Sequence, residues 1–210
     1  MRSCLLTFDS FGGYGGIAQY SRDVAYGIAT HPAYVSQSVV ALSARFRVTK
    51  LPKACRFYCA NSSRLKYIFA VARECFQVSY NVLLCGHIRL LGISTFLSRL
   101  FRIPQLLFIY GIDAWNPASG TMTRSLLPYV SGVASISEFT LKRFLNWTNP
   151  PPPTFLLPNA VDLQAFTPGK KTPALALRCG MQQKRVLLTL GRLESTEQYK
   201  GVDETLAVLP

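Results

Sequence analysis

Acidic residues are scarce in this chain of 210 residues. Ten Asp and Glu stand against 23 Lys and Arg, a formal net charge of +13, and no acid falls between Asp23 and Glu74. Charge of either sign is also sparse, at 16% against 49% hydrophobic residues, which excludes a disordered, solvating chain. No uninterrupted apolar run approaches the ~20 residues that a bilayer demands. The most apolar region, Val82 to Tyr110, is broken by His87, Arg89, Arg99 and Arg102. The residues after Arg2 run straight into an apolar strand with no leader pattern, so no signal peptide is expected. The six cysteines include no Cys-x-x-Cys pair, and several sit in apolar runs, which points to a reducing compartment and no metal site. Nucleotide signatures are missing too. The glycine-rich loop does not keep all three glycines of the dinucleotide fingerprint, no acid stands where a ribose would need one, and no Gly-Lys-Ser/Thr occurs.

What is present alternates. Short apolar runs at Cys4–Phe8, Gln37–Leu42, Arg56–Cys59, Val82–Cys85, Leu106–Tyr110, Val133–Ile136 and Thr154–Leu157 read as strands, with helix-period segments between them. The alternation predicts an α/β fold, a Rossmann-like parallel sheet with helices on both faces. Ile17, Tyr20, Val24 and Ile28 share one helix face, and Leu65, Phe69, Ala72 and Phe76 another. Further helices are expected over Leu90–Phe101 and Phe139–Leu145. The run Pro150 to Pro153 is a stiff connector, whereas the turn-rich stretch Thr167 to Pro173 marks a boundary. The expected organisation is a first domain over 1–168, a linker over 169–184 and the start of a second Rossmann-like domain over 185–210, opening with the strand Val186–Leu190.

Residues able to do chemistry collect after the strands. Gly12-Gly13-Tyr14-Gly15-Gly16 lies between the first strand and the first helix, where a glycine backbone can approach a phosphate or a sugar. Gly86-His87 ends the fourth strand, and Tyr110-Gly111-Ile112-Asp113-Ala114-Trp115 ends the fifth, offering an imidazole, a carboxylate and aromatic platforms at one sheet edge. Ser137 reads as a helix cap that can still face a ligand, and Asn159 and Asp162 as turn residues. Gly191-Arg192 followed by Tyr199-Lys200-Gly201 combines a glycine turn with two cations, the composition of an anion site. The acid-free stretch carrying Arg45, Arg47, Lys50, Lys53, Arg56, Arg64, Lys66 and Arg73 is either a solvated face or an attractor of a polyanion, anionic lipid headgroups or nucleic acid.

Taken in order, the glycine loop, Gly-His, Tyr-Gly-Ile-Asp-Ala-Trp, Ser-Glu-Phe-Thr, Pro-Asn-Ala-Val-Asp and Gly-Arg…Tyr-Lys-Gly resemble the family 4 retaining glycosyltransferases of the GT-B fold. The resemblance implies two Rossmann-like domains facing across a cleft, the first holding the acceptor and the second a nucleotide-sugar. By position, Gly13, Gly15, Gly16, Ser137, Arg192 and Lys200 would bind the donor, Tyr110 and Trp115 the acceptor, and His87 and Asp113 would serve catalysis. The family places His-Gly where this chain has Tyr110-Gly111, and His87 is the candidate replacement. The family's pair of donor-holding glutamates would lie beyond Pro210, so the chain on its own is expected to be an inactive fragment. The resemblance further implies a nucleotide-sugar substrate, no cofactor and no metal, a glycan or lipid-linked acceptor, and no nucleic acid. The cysteine usage and the missing leader point to a cytoplasmic location, and the acid-free basic stretch to a peripheral place at the inner face of an anionic membrane. The alternatives are a non-catalytic, basic polyanion-binding Rossmann-like module and a nucleotide-linked epimerase or dehydrogenase.

Overall fold

A computed structural model describes residues 1–48, 50–116, 121–170, 172–190 and 201–209. The chain divides into two compact units, Met1–Ala160 and Val161–Pro210. The first unit holds seven strands: β1 (Arg2–Thr7), β2 (Ser36–Ala41), β3 (Cys55–Cys59), β4 (Val82–Cys85), β5 (Gln105–Ile109), β6 (Gly132–Ser135) and β7 (Thr154–Leu156). They form one sheet in the order β3-β2-β1-β4-β5-β6-β7, parallel at every pairing. In the centre Leu5 pairs with Val39 on one side and Leu84 on the other. A parallel strand is covered on both faces, so it needs apolar residues at odd and even positions alike. The consecutive buried residues Cys4-Leu5-Leu6 and Leu83-Leu84-Cys85 meet that need.

Helix α1 (Gly16–Ala29) packs Tyr20 and Ala25 with Leu5, Val39, Leu84 and Phe108 on one face of the sheet. On the other face α2 (Arg64–Gln77) and α3 (Leu91–Phe101) cover Cys4, Leu6, Val40, Leu83 and Leu107, together with α6 (Glu138–Leu145). Two short helices, α4 (Ile112–Trp115) and α5 (Thr121–Leu126), lie between β5 and β6. Side chains start two of the longer helices, since Ser63 Oγ accepts from the Lys66 N–H and Ser137 Oγ from the Thr140 N–H. The second unit contributes α7 (Pro173–Arg178) and α8 (Val202–Ala207). No helix among the described residues is long and apolar enough to cross a membrane.

Two sequence-based expectations fail. Of the α2 face predicted to be inward, Ala72 packs against the core, but Leu65, Phe69 and Phe76 are outward, with 80%, 72% and 75% of each residue exposed. Helix α2 is apolar on two stripes, and the inward one is Tyr67, Val71 and Cys75. Glu74 decides between them. It is only 1% exposed, its Oε2 accepts from Ser38 Oγ at 2.6 Å and Tyr80 Oη at 2.8 Å, and Arg56 Nη2 lies at 3.5 Å. A buried carboxylate with this many partners cannot be turned to the outside without breaking all of them. The predicted α1 face fares better, since Tyr20 is buried and Val24 and Ile28 pack against the core, and only Ile17 is exposed. The second failure is Val186–Leu190, which has no regular structure and leaves Leu187, Leu188 and Leu190 exposed. A strand is stable only as part of a ladder, and among the described residues nothing pairs with this run.

Burial alone would raise the Glu74 pKa, but the Ser38, Tyr80 and Tyr58 hydroxyls and the Arg56 charge outweigh it and hold the carboxyl below its ordinary value of 4.5. Its contribution to stability is therefore complete above about pH 4.5 and is lost as pH falls through the depressed value. We expect Glu74→Ala to cost about 2–3 kcal/mol in urea unfolding at pH 7, since it strands two hydroxyls that donate to a charge. Glu74→Gln should flatten the acid limb of the stability curve, and an unchanged limb would show that another carboxyl controls it. Removing the chain from Thr172 onward is expected to leave the melting midpoint unchanged and reduce light scattering, because the exposed leucines of that segment go with it.

Candidate functional site

Parallel strands deliver every following loop to one edge of the sheet. After β1 come Phe8 to Gly16, after β4 comes His87, after β5 come Tyr110 to Asp113, and after β6 comes Ser137.

The glycine loop is shaped by close approaches. Gly12 has φ +98°, its carbonyl accepts from the Arg45 and Phe46 N–H groups at 2.9 and 3.0 Å, and a Cβ there would stand 2.5 Å from the Phe46 carbonyl oxygen. A Cβ on Gly13 would fall 2.2 Å from the Asp9 carboxylate. Arg22, nearly two turns into α1, donates from Nη1 to the carbonyls of Ser10 and Gly13 at 2.5 and 2.9 Å. Burial pushes the Asp9 carboxyl up, against the pull of Arg22 and Arg45. A Cβ on Gly15 or Gly16 meets nothing within 4 Å, although Gly15 shares the φ of +98° that favours glycine and Gly16 does not. These two glycines open α1 with no capping side chain and no acid in its first turn, so its positive end faces open space. Beside the loop lies a cleft of about 350 Å³, lined in part by Gly12, Gly13, Arg22, Arg47 and Lys50 and bordered by the Tyr14–Phe46 ring pair at 4.3 Å. Arg47 and Lys50 bring full charges to the same place. An anion fits there.

His87 sits beside this loop on the β4 end. Gly86 lets the chain turn there, because a Cβ would come within 2.6 Å of the Leu6 carbonyl oxygen. The imidazole Nδ1 accepts from the Arg89 N–H at 3.1 Å, so the neutral ring carries its proton on Nε2. Its edge meets the Phe8 ring with centroids 5.0 Å apart, and Tyr110 lies at 6.4 Å. Burial lowers the His87 pKa below its ordinary 6.5, Asp113 opposes that shift, and Arg89 adds to it. At neutral pH the ring is an uncharged Nε2–H donor, suited to binding a hydroxyl or carbonyl oxygen rather than to taking a proton.

Tyr110 donates its hydroxyl to the Gly86 carbonyl at 3.1 Å and packs edge-on to Tyr20 at 5.4 Å, and burial holds its pKa well above the usual tyrosine range. It braces the His87 turn. Asp113 Oδ1 accepts the Gly111 N–H at 2.7 Å, while Oδ2 is buried without a partner. The structure thus brings His87, Tyr110 and Asp113 into one group. Trp115 has its contacts elsewhere. It meets Phe139 of α6 edge-on at 5.4 Å, and the Arg143 guanidinium lies 4.9 Å from both ring centres, beside a cleft of about 410 Å³. Ser137 is the α6 cap. Asp162 holds its turn by accepting from the Gln164 and Ala165 N–H groups at 2.9 and 3.2 Å. Arg192 and Lys200 lie outside the described residues.

Sequence reading passed over Asp9, Arg22 and Phe8. A signal existed, since Asp9 and Ser10 are polar residues wedged between a buried strand and a glycine loop, where nothing but function or a turn requires them. Arg22 carried none, because its role depends on reaching back across a helical turn to two carbonyls. Among the described residues no group of three or more His, Cys, Asp or Glu side chains could hold a metal ion.

No family model matches the sequence, and no curated protein matches it. Solved structures do match. HepE from Anabaena in complex with UDP-glucose superposes with a TM-score of 0.71 at 15% identity, over 100% of this chain and 58% of HepE. Sucrose-phosphate synthase from Thermosynechococcus elongatus gives a TM-score of 0.71 at 14% identity, over 100% of this chain and 60% of that one. The lipopolysaccharide outer core galactosyltransferase WaaB, in its apo form, gives 0.51 at 10% identity over 70% of this chain and 42% of its own length. This chain therefore spans less than two thirds of each of these proteins. At such identities the likeness speaks for architecture, and with the all-parallel sheet of seven strands it gives the chain the Rossmann-like α/β fold of the GT-B glycosyltransferases.

Proposed function

We propose that this chain is the acceptor-side part of a family 4-like glycosyltransferase. It moves a hexose from a nucleotide-sugar to a glycan or lipid-linked acceptor, with retention of anomeric configuration and without a metal ion. Its place is cytoplasmic, peripheral at the inner face of an anionic membrane. The observation that carries the reading is the likeness of the whole chain to HepE, a protein crystallised with UDP-glucose. The open, uncapped start of α1 at Gly15 and Gly16 supports it, with Arg22, Arg47 and Lys50 beside the loop.

In this reading the α1 N-terminus, Gly13, Arg192 and Lys200 bind the donor diphosphate. Charge builds on the diphosphate as the sugar leaves, and fixed positive groups lower the barrier by stabilising that charge. Ser137 lies at the same sheet edge on the donor side. His87 offers its Nε2–H to a sugar or acceptor oxygen, with Asp113 and Tyr110 holding the turn, and Trp115 lines an acceptor surface further out along α6.

Titration of UDP into the chain tests the donor half. Arg192→Ala and Lys200→Ala are each expected to weaken binding roughly tenfold, the loss of one hydrogen bond to a charged group. Gly16→Val should block binding while leaving the fold intact, since Gly16 has no positive φ and a side chain there enters the open space a ligand needs. His87→Ala should leave UDP affinity within about twofold. Equal affinity in all four variants would end the assignment. Acceptor binding should hold from pH 8 to below pH 6.5, because burial keeps His87 neutral below its ordinary 6.5, and should fail only as the ring charges. A midpoint above 6.5 in the pH profile of acceptor affinity would remove His87 from that role.

A further inference from the structure

We propose that the outward face of α2 and α3 docks on an anionic lipid bilayer. The idea builds on the reading of a membrane-side acceptor, but it rests on a separate surface. Helix α2 turns Leu65, Phe69 and Phe76 to the outside, and α3 adds Phe96 and Leu100, all exposed. Phe76 meets Phe101 edge-on with centroids 4.7 Å apart, so the two helices present one continuous apolar surface. Five large apolar side chains on one face exceed the scatter of single hydrophobic residues that a soluble surface carries.

Charge identifies the occupant. Arg64, Lys66 and Arg73 of α2 are exposed, and Arg89 precedes α3. The single acid of α2, Glu74, is buried, and α3 has none. At helical spacing Lys66 and Arg73 flank the Leu65, Phe69 and Phe76 stripe on one side, and Arg64 flanks it on the other. An apolar stripe bordered by cations is the pattern of a helix lying in the headgroup region, its aromatics in the acyl boundary and its cations on lipid phosphates. A second copy of the chain fits less well, because a twofold contact through this face would set these cations against themselves.

The surface also leads inward. A groove of about 710 Å³ between α2, α3 and α5 is lined by Ile68, Phe96, Ile93, Ile88, Met122 and Phe8. Arg64 and Arg89 are among its lining residues. Phe8, one of these lining residues, is the ring that meets His87 with centroids 5.0 Å apart. A lipid chain entering from the docked face therefore has an apolar path to the edge of the sheet, with arginines for its phosphate.

Co-sedimentation of the whole chain with vesicles tests the proposal. Binding is expected to phosphatidylglycerol–phosphatidylcholine vesicles, to weaken as salt is raised, and to be slight with phosphatidylcholine alone. The double variant Leu65→Ser/Phe69→Ser should lower affinity at least about tenfold. Lys66→Ser and Arg73→Ser should each lower it about fivefold. Leu163→Ser, which removes an exposed leucine elsewhere, should change nothing. Binding indifferent to lipid charge, salt and the α2 variants would overturn the proposal. So would a concentration-dependent dimer that Leu65→Ser/Phe69→Ser converts to monomer, which would make the occupant a second copy. UDP titration of the same variants separates the two readings. Retained vesicle binding without UDP binding removes the transferase and leaves the docking face, and the reverse result removes the docking face alone.

Discussion

Seven strands running the same way constrain everything else in this molecule. Parallel pairing forbids hairpins, so each strand returns through a crossover, and each crossover begins at the same edge. Residues more than a hundred positions apart, such as Gly15 and Ser137, reach that edge without any contact being designed between them in sequence. The same constraint makes both sheet faces dry, which is why chemistry is confined to the edge and why polar residues inside, such as Glu74, need a full set of partners.

At the edge, glycine does two different jobs. Gly12, Gly13 and Gly86 are required by neighbours already present, since a methyl group on any of them would overlap a carbonyl oxygen or the Asp9 carboxylate. Gly15 is required by its own backbone, at φ +98°, whereas Gly16 carries no such constraint and faces nothing. A residue kept small where the protein itself needs no room marks space left for something else. That distinction, between glycine demanded by packing and glycine beside a void, is what makes the start of α1 a credible anion site, and the cations of the adjoining cleft agree in sign.

Much of the architecture was legible. All seven strands were placed within two residues of where they lie, from Arg2–Thr7 through Thr154–Leu156, because a strand covered on both faces appears as a short apolar block between polar turns. The limits of that signal are equally physical. Val186–Leu190 has the same composition as a core strand, yet composition carries no information about whether an edge exists for it to join. Trp115 stood close in sequence to Tyr110 and Asp113, but its ring is engaged by Phe139 and Arg143 from a helix more than twenty residues later. The Arg22 contacts with Ser10 and Gly13 are of the same kind, set by a backbone path that no local pattern encodes.

Helix α2 shows how an error of reading becomes informative. Hydrophobic periodicity reports the repeat of a helix but not which stripe faces the protein, and α2 has two stripes able to pack. A buried carboxylate settles the choice, because Glu74 must lie where Ser38, Tyr80 and Arg56 can reach it, and its position forces Leu65, Phe69 and Phe76 outward. An electrostatic requirement on one face thus creates an apolar surface on the other. The protein tolerates that exposure next to Arg64, Lys66 and Arg73, whose charge discourages pairing with a like surface. The polar anchor in the interior and the oily, cationic exterior are then two consequences of a single helix orientation.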